Sequence, residues 1–228
     1  GIFVWGDLKE HKLHIRKYAL HTKIVLITSL LLIIGPSILF LILERHALFA
    51  DMNTPQAILN ALFCAVTPRT AGFNTTDIAS LSQSSQLLTI ILMFIGGCPG
   101  STAGGAKVTT ITVLILYLRS MLTRTDGVNI FKRRLEDEAV SKAAAVFTTH
   151  MLLAVAATFL ISMQQDLDLT VIVFDVVSAV STVGMSTGIT PHLVPGAKVI
   201  LILLMYLGRV GSLSFAMSFT DKKRLAHV

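Results

Sequence analysis

Two apolar runs dominate the sequence: Ile24 to Leu43, which carries no charge, and Ala143 to Met163, whose one notable polar intruder is His150. A helix needs about 20 apolar residues to cross a hydrocarbon core of about 30 Å, so both runs are long enough to span a bilayer. A soluble domain keeps about a quarter of its residues charged in order to cover itself. This chain is 14% charged and 53% hydrophobic, with a mean hydropathy of +0.74. Its 228 residues hold four or five crossings and exclude a large soluble domain.

The other two long runs each carry a defect at membrane depth. Leu87 to Leu118 is broken by Gly96-Gly97-Cys98-Pro99-Gly100-Ser101-Thr102-Ala103-Gly104-Gly105-Ala106-Lys107, and Val199 to Phe219 carries Arg209 between two glycines. Between the long runs lie two shorter ones, Pro55 to Val66 and Thr170 to Ser181. A helix of about 12 residues rises only about 18 Å. They read as re-entrant half-helices.

The basic residues orient the chain. Fourteen of the nineteen lie in residues 1–23 (Lys9, Lys12, Arg16, Lys17, Lys23), residues 119–142 (Arg119, Arg124, Lys132, Arg133, Arg134, Lys142) and the tail 221–228 (Lys222, Lys223, Arg224). With four crossings these segments share one side, which the positive-inside rule makes cytoplasmic. The net charge of +6 is thereby a loop bias, with no need of nucleic acid. Both half-helices enter from outside, where Glu44, Asp51, Asp77, Asp166 and Asp168 outnumber Arg45 and Lys198. An acidic mouth concentrates cations, although any one of these acids reads equally well as an ordinary solvated loop residue.

Cys64 and Cys98 both fall in apolar stretches, with no CxxC or Cys/His metal spacing and no disulfide framework. The sequence shows no initiator Met and no signal-peptide n-region at Gly1. Gly1 to Trp5 reads as the end of an earlier helix, and on that reading the chain is expected to be a fragment.

The two halves match at one constant offset, which pairs residue 70 with residue 182 and residue 92 with residue 204. Thr70-Ala71-Gly72-Phe73-Asn74-Thr75 becomes Thr182-Val183-Gly184-Met185-Ser186-Thr187, and Leu92-Met93-Phe94-Ile95-Gly96 becomes Leu204-Met205-Tyr206-Leu207-Gly208. The unit is span, re-entrant helix, Thr-x-Gly-x-x-Thr strand, span. A half-helix that stops inside the membrane points the negative end of its dipole at the interior. Its chain must return as irregular backbone, tolerated there only beside a water-filled cavity or inside protein. Carbonyls freed in this way can replace the hydration shell of a cation. Gly72 and Gly184 suit that role because glycine reaches the φ values that aim successive carbonyls at one axis. Two units do not encircle a pore, so two more are expected, from a missing N-terminal half or a second copy.

These residues resemble the Trk/Ktr/HKT superfamily of potassium transporters, specifically the membrane subunit of bacterial Trk or Ktr uptake systems. The resemblance covers nearly the whole chain and rests on Arg69 to Thr75, Gly96 to Lys107, Ser181 to Gly188 and Gly208-Arg209-Val210-Gly211. It implies an all-α integral membrane protein with two span–pore-helix–span repeats, residues 24–118 and 143–220, half of a four-repeat pseudo-fourfold pore. These match the family's third and fourth repeats, joined by a cytoplasmic linker 119–142 and flanked by cytoplasmic segments 1–23 and 221–228. It also implies K+ uptake across a bacterial plasma membrane, with no enzymatic activity and no organic cofactor.

By the same resemblance, the carbonyls of Thr70, Ala71, Gly72 and Phe73 and of Thr182, Val183, Gly184 and Met185 bind K+ as a selectivity filter. Gly96, Gly97, Gly100, Ser101, Thr102, Gly104, Gly105 and Lys107 form an intramembrane gating loop, and Arg209 faces the cavity below the filter. Na+ is a candidate coupling ion for symport, and a Na+-selective or Na+/K+ cotransporting relative and a non-conducting fragment are the alternatives to K+ uptake. A homodimer and a cytosolic nucleotide-binding regulatory subunit are implied partners, besides membrane lipid.

Each site also has a plainer reading. Gly100 to Lys107 superficially resembles a P-loop, but Lys107 follows Ala106 and precedes Val108, so the Gly-Lys-Ser/Thr ending fails. A hinge packed against a neighbouring helix is the alternative to a gate. Ser101 and Ser186 lack a G-x-S-x-G elbow, which leaves little for an intramembrane hydrolase. Arg209 within a span is costly and belongs against a cavity or a partner, or it ties helix carbonyls together. His150 reads as an interhelical hydrogen-bonder before a proton relay, and Lys107 as a snorkelling side chain. Asp175 either lends charge to the filter or holds its loop by a hydrogen bond, and Arg69 reads as a tie for the first loop. The segment 119–142 reads as a solvated helical hairpin on anionic lipid. The resemblance makes it a docking surface for the regulatory subunit.

Overall fold

The computed structural model describes residues 18, 20–98, 104–123, 129–130, 133–134 and 137–221. Gly1 to Trp5, the basic residues of the N-terminal segment before residue 18, Arg124, Lys132, the loop residues Gly100, Ser101 and Thr102, and Lys222, Lys223 and Arg224 lie outside them. Seven helices carry the described fold: α1 Leu20–Leu43, α2 Thr54–Val66, α3 Gln83–Ile95, α4 Val108–Leu122, α5 Asp137–Ser162, α6 Leu169–Val180 and α7 Pro195–Asp221. The linker differs from the helical hairpin expected of it. Residues 119–122 and 137–142 extend α4 and α5, and the described residues between them include two antiparallel two-residue strands, with Asn129 opposite Arg134 and Ile130 opposite Arg133.

Helix α1 runs unbroken through Gly35-Pro36. Proline removes one backbone donor from the ladder, and in the same turn the Ser37 hydroxyl donates to the Ile33 carbonyl at 2.6 Å. Helices α1 and α5 are long and apolar enough to cross a membrane. Their outer faces stay apolar and uncovered, with Leu31 and Ile42 65% exposed and Leu152 64%. A surface of this kind belongs against lipid or further protein.

The second half packs more tightly than the first. Helix α6 lies against α3, α5 and α7 and buries Ile172, Phe174, Val176, Val177, Ala179 and Val180. Helix α2 lies chiefly against α1 and buries only Ala61, Cys64 and Ala65. Neither cysteine is in a disulfide.

Both halves tie the loop after their first span to the start of the helix that follows the Thr-x-Gly loop, α3 in the first and α7 in the second. Glu44, fully buried, accepts from the Ser82 backbone N–H at 3.0 Å and the Ser82 hydroxyl at 2.6 Å. It also accepts from the Leu48 N–H at 3.4 Å. Burial pushes the Glu44 carboxyl up, but its bonds from Ser82, Ser85 and Leu48 outweigh that and hold it below its ordinary value. In the second half the Gln165 amide oxygen accepts from the Val194 N–H at 3.1 Å. Ser82 and Val194 correspond at the repeat offset, so the same backbone group is capped twice by different side chains.

Candidate functional site

Each half-helix hands over to irregular backbone, with no strand at either Thr-x-Gly segment. The strand expected there gives way to tight turns that wrap back onto the end of the helix. In the first loop the Ala71 and Gly72 N–H groups donate to the Thr67 carbonyl at 3.1 and 3.3 Å. In the second, Thr182 N–H donates to Ala179 at 3.1 Å and Val183 N–H to Ser178 at 2.9 Å. Carbonyls left over at the negative ends of α2 and α6 are thus concentrated at the two loops.

The turns repeat in backbone conformation as well as in sequence. Thr70 and Thr182 have φ of 66° and 54°, and Gly72 and Gly184 have 74° and 87°. Left-handed backbone is uncommon for a β-branched residue, and its cost is carried by the surrounding structure. Left-handed residues alternating with ordinary ones turn successive carbonyls toward the same side.

The two loops meet. A Cβ on Gly72 would lie 2.3 Å from the Val183 carbonyl oxygen, so only glycine allows that approach. Gly184 has nothing within 4 Å of its Cβ position. It faces a cavity of about 500 Å³ whose wall includes Asp175, Ser178, Thr182, Thr190 and Arg209.

The broken span supplies the other side of the site. Helix α3 stops at Gly96, at φ 66°, and α4 begins after Lys107, which is half-buried. Gly97 is buried and its carbonyl accepts from Val108 N–H at 3.1 Å, closing the described part of the stretch on itself. Gly104 N–H donates to the Thr182 hydroxyl at 2.9 Å. A Cβ on Gly104 would lie 2.4 Å from that hydroxyl, and one on Gly105 would lie 3.1 Å from Ser181 Oγ. The glycines let this stretch seat against the second loop at contact distance. Gly208, which matches Gly96 at the repeat offset, does something else. Helix α7 continues through it, and its missing Cβ admits the Val180 carbonyl, which would otherwise lie 2.0 Å away.

The remaining candidate residues sort by their partners. Asp175, 5% exposed, accepts from the Ser186 and Thr190 hydroxyls at 2.9 and 2.8 Å and from Thr187 N–H at 3.1 Å. Arg69 donates to Ser29 Oγ at 3.2 Å and Cys98 Sγ at 3.7 Å, tying the first loop to α1 and to the end of the broken span. His150 hydrogen-bonds the Val146 carbonyl of its own helix at 2.9 Å, in place of the interhelical bond expected. The acidic mouth is thinner than its residue count. Glu44 is buried, and Asp77 and Asp168 accept from Ala79 and Thr170 N–H groups at the starts of helical turns. Glu44, Ser82 and Gln165 are ties that the sequence reading missed as such. Ser82 ahead of the apolar run 87–95 carried a recognisable N-cap signal. Among the described residues no cluster of three metal-ligating side chains occurs.

The architecture is that of an all-helical integral membrane protein. The chain belongs to the TrkH family of cation transport proteins, whose sequence model matches residues 8–225. It is 37% identical over 231 residues to the potassium/sodium uptake protein NtpJ of Enterococcus hirae, covering 99% of this chain and 51% of that one. It is 33% identical over 226 residues to the Ktr system potassium uptake protein B of Bacillus subtilis, covering 98% and 51%. The crystal structure of the potassium transporter TrkH from Vibrio parahaemolyticus superposes with a TM-score of 0.67 at 23% identity, covering 84% of this chain and 43% of that one. The chain therefore spans about half the length of the curated relatives it matches.

Proposed function

We propose that this chain forms half of a K+ uptake pore in a bacterial plasma membrane, crossing it several times, and selects its ion with backbone carbonyls. The observation that carries this reading is the pair of left-handed Thr-x-Gly turns at positions 70–72 and 182–184, which approach each other across Gly72 and Val183. Thr70 to Phe73 and Thr182 to Met185 supply oxygens that stand in for water around K+. Two further repeats complete the ring, and a homodimer with a cytosolic nucleotide-binding subunit is the assembly the family resemblance supports.

The stretch Gly96 to Lys107 acts as the gate, seated on Thr182 through Gly104. Arg209 on the cavity wall sets a positive barrier that has to move or be neutralised as an ion passes. The name of the Enterococcus hirae relative, a potassium/sodium uptake protein, favours Na+ as a coupling ion or second substrate.

The test is Rb+ uptake, with K+ and Na+ as competitors, in cells lacking their own potassium uptake and expressing the full reading frame that contains this chain. Gly72→Ser and Gly184→Ser should each lower the preference for K+ over Na+. Unchanged preference in both would overturn the carbonyl-filter reading. Deleting Gly100 to Gly105 should raise flux; a well-expressed deletion with unaltered flux would remove the gate.

A further inference from the structure

The second Thr-x-Gly loop has a carboxylate anchor where the first has only a weak thiol contact, Cys64 Sγ to Thr76 Oγ1 at 4.0 Å. Its inner end is held to α6 by the bonds from Thr182 and Val183 N–H to Ala179 and Ser178. Past Met185, the chain is held to the same helix by the side chain of Asp175. One carboxylate oxygen takes the Thr187 N–H, and the other takes the hydroxyls of Ser186 and Thr190. Ser186 also accepts from Gly188 N–H at 3.0 Å, so the whole turn 186–190 closes around this carboxylate. Between the two anchors Gly184 faces open cavity with nothing within 4 Å of its Cβ position. Nothing packs on its Cβ side, although Val183 and Met185 on either side of it are buried.

The repeat offset puts Phe63 where Asp175 stands, and phenylalanine accepts no hydrogen bond. The first loop is stiffened differently. The Thr67 hydroxyl donates to the Phe73 carbonyl, and Gly72 rests against Val183. Asp175 lines the cavity, yet donors from its own loop occupy both its oxygens, so it reaches a permeating cation through the loop.

We propose that Asp175 is a positioning residue for ion selection, clamping the 186–190 turn to α6 so that the carbonyls of Thr182 to Met185 keep one geometry. The proposal rests on the carbonyl-filter reading. A clamp made of hydrogen bonds tolerates an amide. In Asp175→Asn the oxygen still accepts from Thr187 N–H, and the Ser186 and Thr190 hydroxyls can turn to accept from the NH2 group. A clamp made of charge does not tolerate it.

The experiment measures K+ over Na+ preference by competed Rb+ uptake, at matched membrane expression of the full protein. Asp175→Ala should lower the preference about tenfold and Thr190→Val about threefold, while Asp175→Asn stays within about twofold. A purely structural role would lower the amount of protein and leave the preference per molecule unchanged. If Gly184→Ser shifts the preference and Asp175→Ala does not, the clamp is overturned and the filter reading stands. If neither Gly184→Ser nor Gly72→Ser has an effect, the filter reading falls and takes the clamp with it. Asp175→Asn behaving like Asp175→Ala overturns the clamp in favour of charge. Should Asp175→Ala fail to reach the membrane, Thr190→Val against Asp175→Asn decides, and equal preference in the two overturns the proposal.

Discussion

The two Thr-x-Gly loops share a backbone and differ in what supports it. The first follows a helix with three buried residues and ends in Phe73, 72% exposed. The second follows a helix with eight buried residues, Asp175 among them, and ends in Met185, 5% exposed. Glycine at the matching position is demanded by close contact in one loop and by conformation alone in the other. An internal repeat thus preserves the feature that would face an ion, the φ pattern, while the scaffold behind it diverges.

The largest contrast should come from alanine at the two glycines. Gly72→Ala forces both a left-handed alanine and a Cβ 2.3 Å from the Val183 oxygen, and Rb+ uptake should fall by about a hundredfold. Gly184→Ala meets only the conformational strain, so uptake should fall by about tenfold. Equal losses in the two variants would break the distinction between the loops.

A second contrast lies in the helices behind the loops. Gly208→Ala pushes α7 off the end of α6 and should destabilise the detergent-solubilised protein by about 1 to 3 kcal/mol. Gly35, with nothing near its Cβ position, is the control. Gly35→Ala should leave the melting temperature unchanged or raise it, because mid-helix alanine is favoured over glycine by up to about 1 kcal/mol.

The described part of the stretch Gly96 to Lys107 touches the second loop through Gly104 and Thr182. Thr182→Ala should therefore raise basal uptake by about fivefold, the worth of one net hydrogen bond. Thr70→Ala should not. Matching increases would show that the proposed gate does not discriminate between the loops.

The smallest effect concerns the two ties. Glu44 is held below its ordinary value of 4.5 in the folded chain. Its contribution is complete above that value and is lost as pH falls through the lower folded one. Thermal stability should decline on acidification in that window. Glu44→Gln should flatten the decline while costing about 1 kcal/mol at neutral pH. Gln165, which holds the corresponding amide in the second half, carries no charge, so Gln165→Ala should lower stability equally at both pH values.

Much of this was legible in the residues because it depends on local chemistry. Uncharged runs long enough to span, half-length runs between them and a constant offset are properties of the chain read in one dimension. Gly72 and Gly184 could be singled out because a turn at that point requires what only glycine supplies cheaply. Other features were hidden because they depend on partners far apart in the chain. Nothing near Glu44 announces that it will meet Ser82, 38 residues on, so it read as a mouth acid. The linker's charges fitted a helical hairpin as well as the strand pair it contains. The left-handed threonines were hidden too, since threonine by itself disfavours that conformation and surrounding bonds impose it.

Membrane residence, the helical class, the repeat and the family were therefore written in the order of the amino acids, because hydrophobic length and backbone permissiveness act residue by residue. Tertiary packing settled which glycine answers to a clash and which to conformation alone. It gave the Asp175 carboxylate its partners Ser186, Thr187 and Thr190, and it brought Gly104 against Thr182, 78 residues away. Those outcomes depend on distances between atoms remote in sequence. A hydrogen bond or a forbidden Cβ exists only once the helices have brought both partners to within about 3 Å.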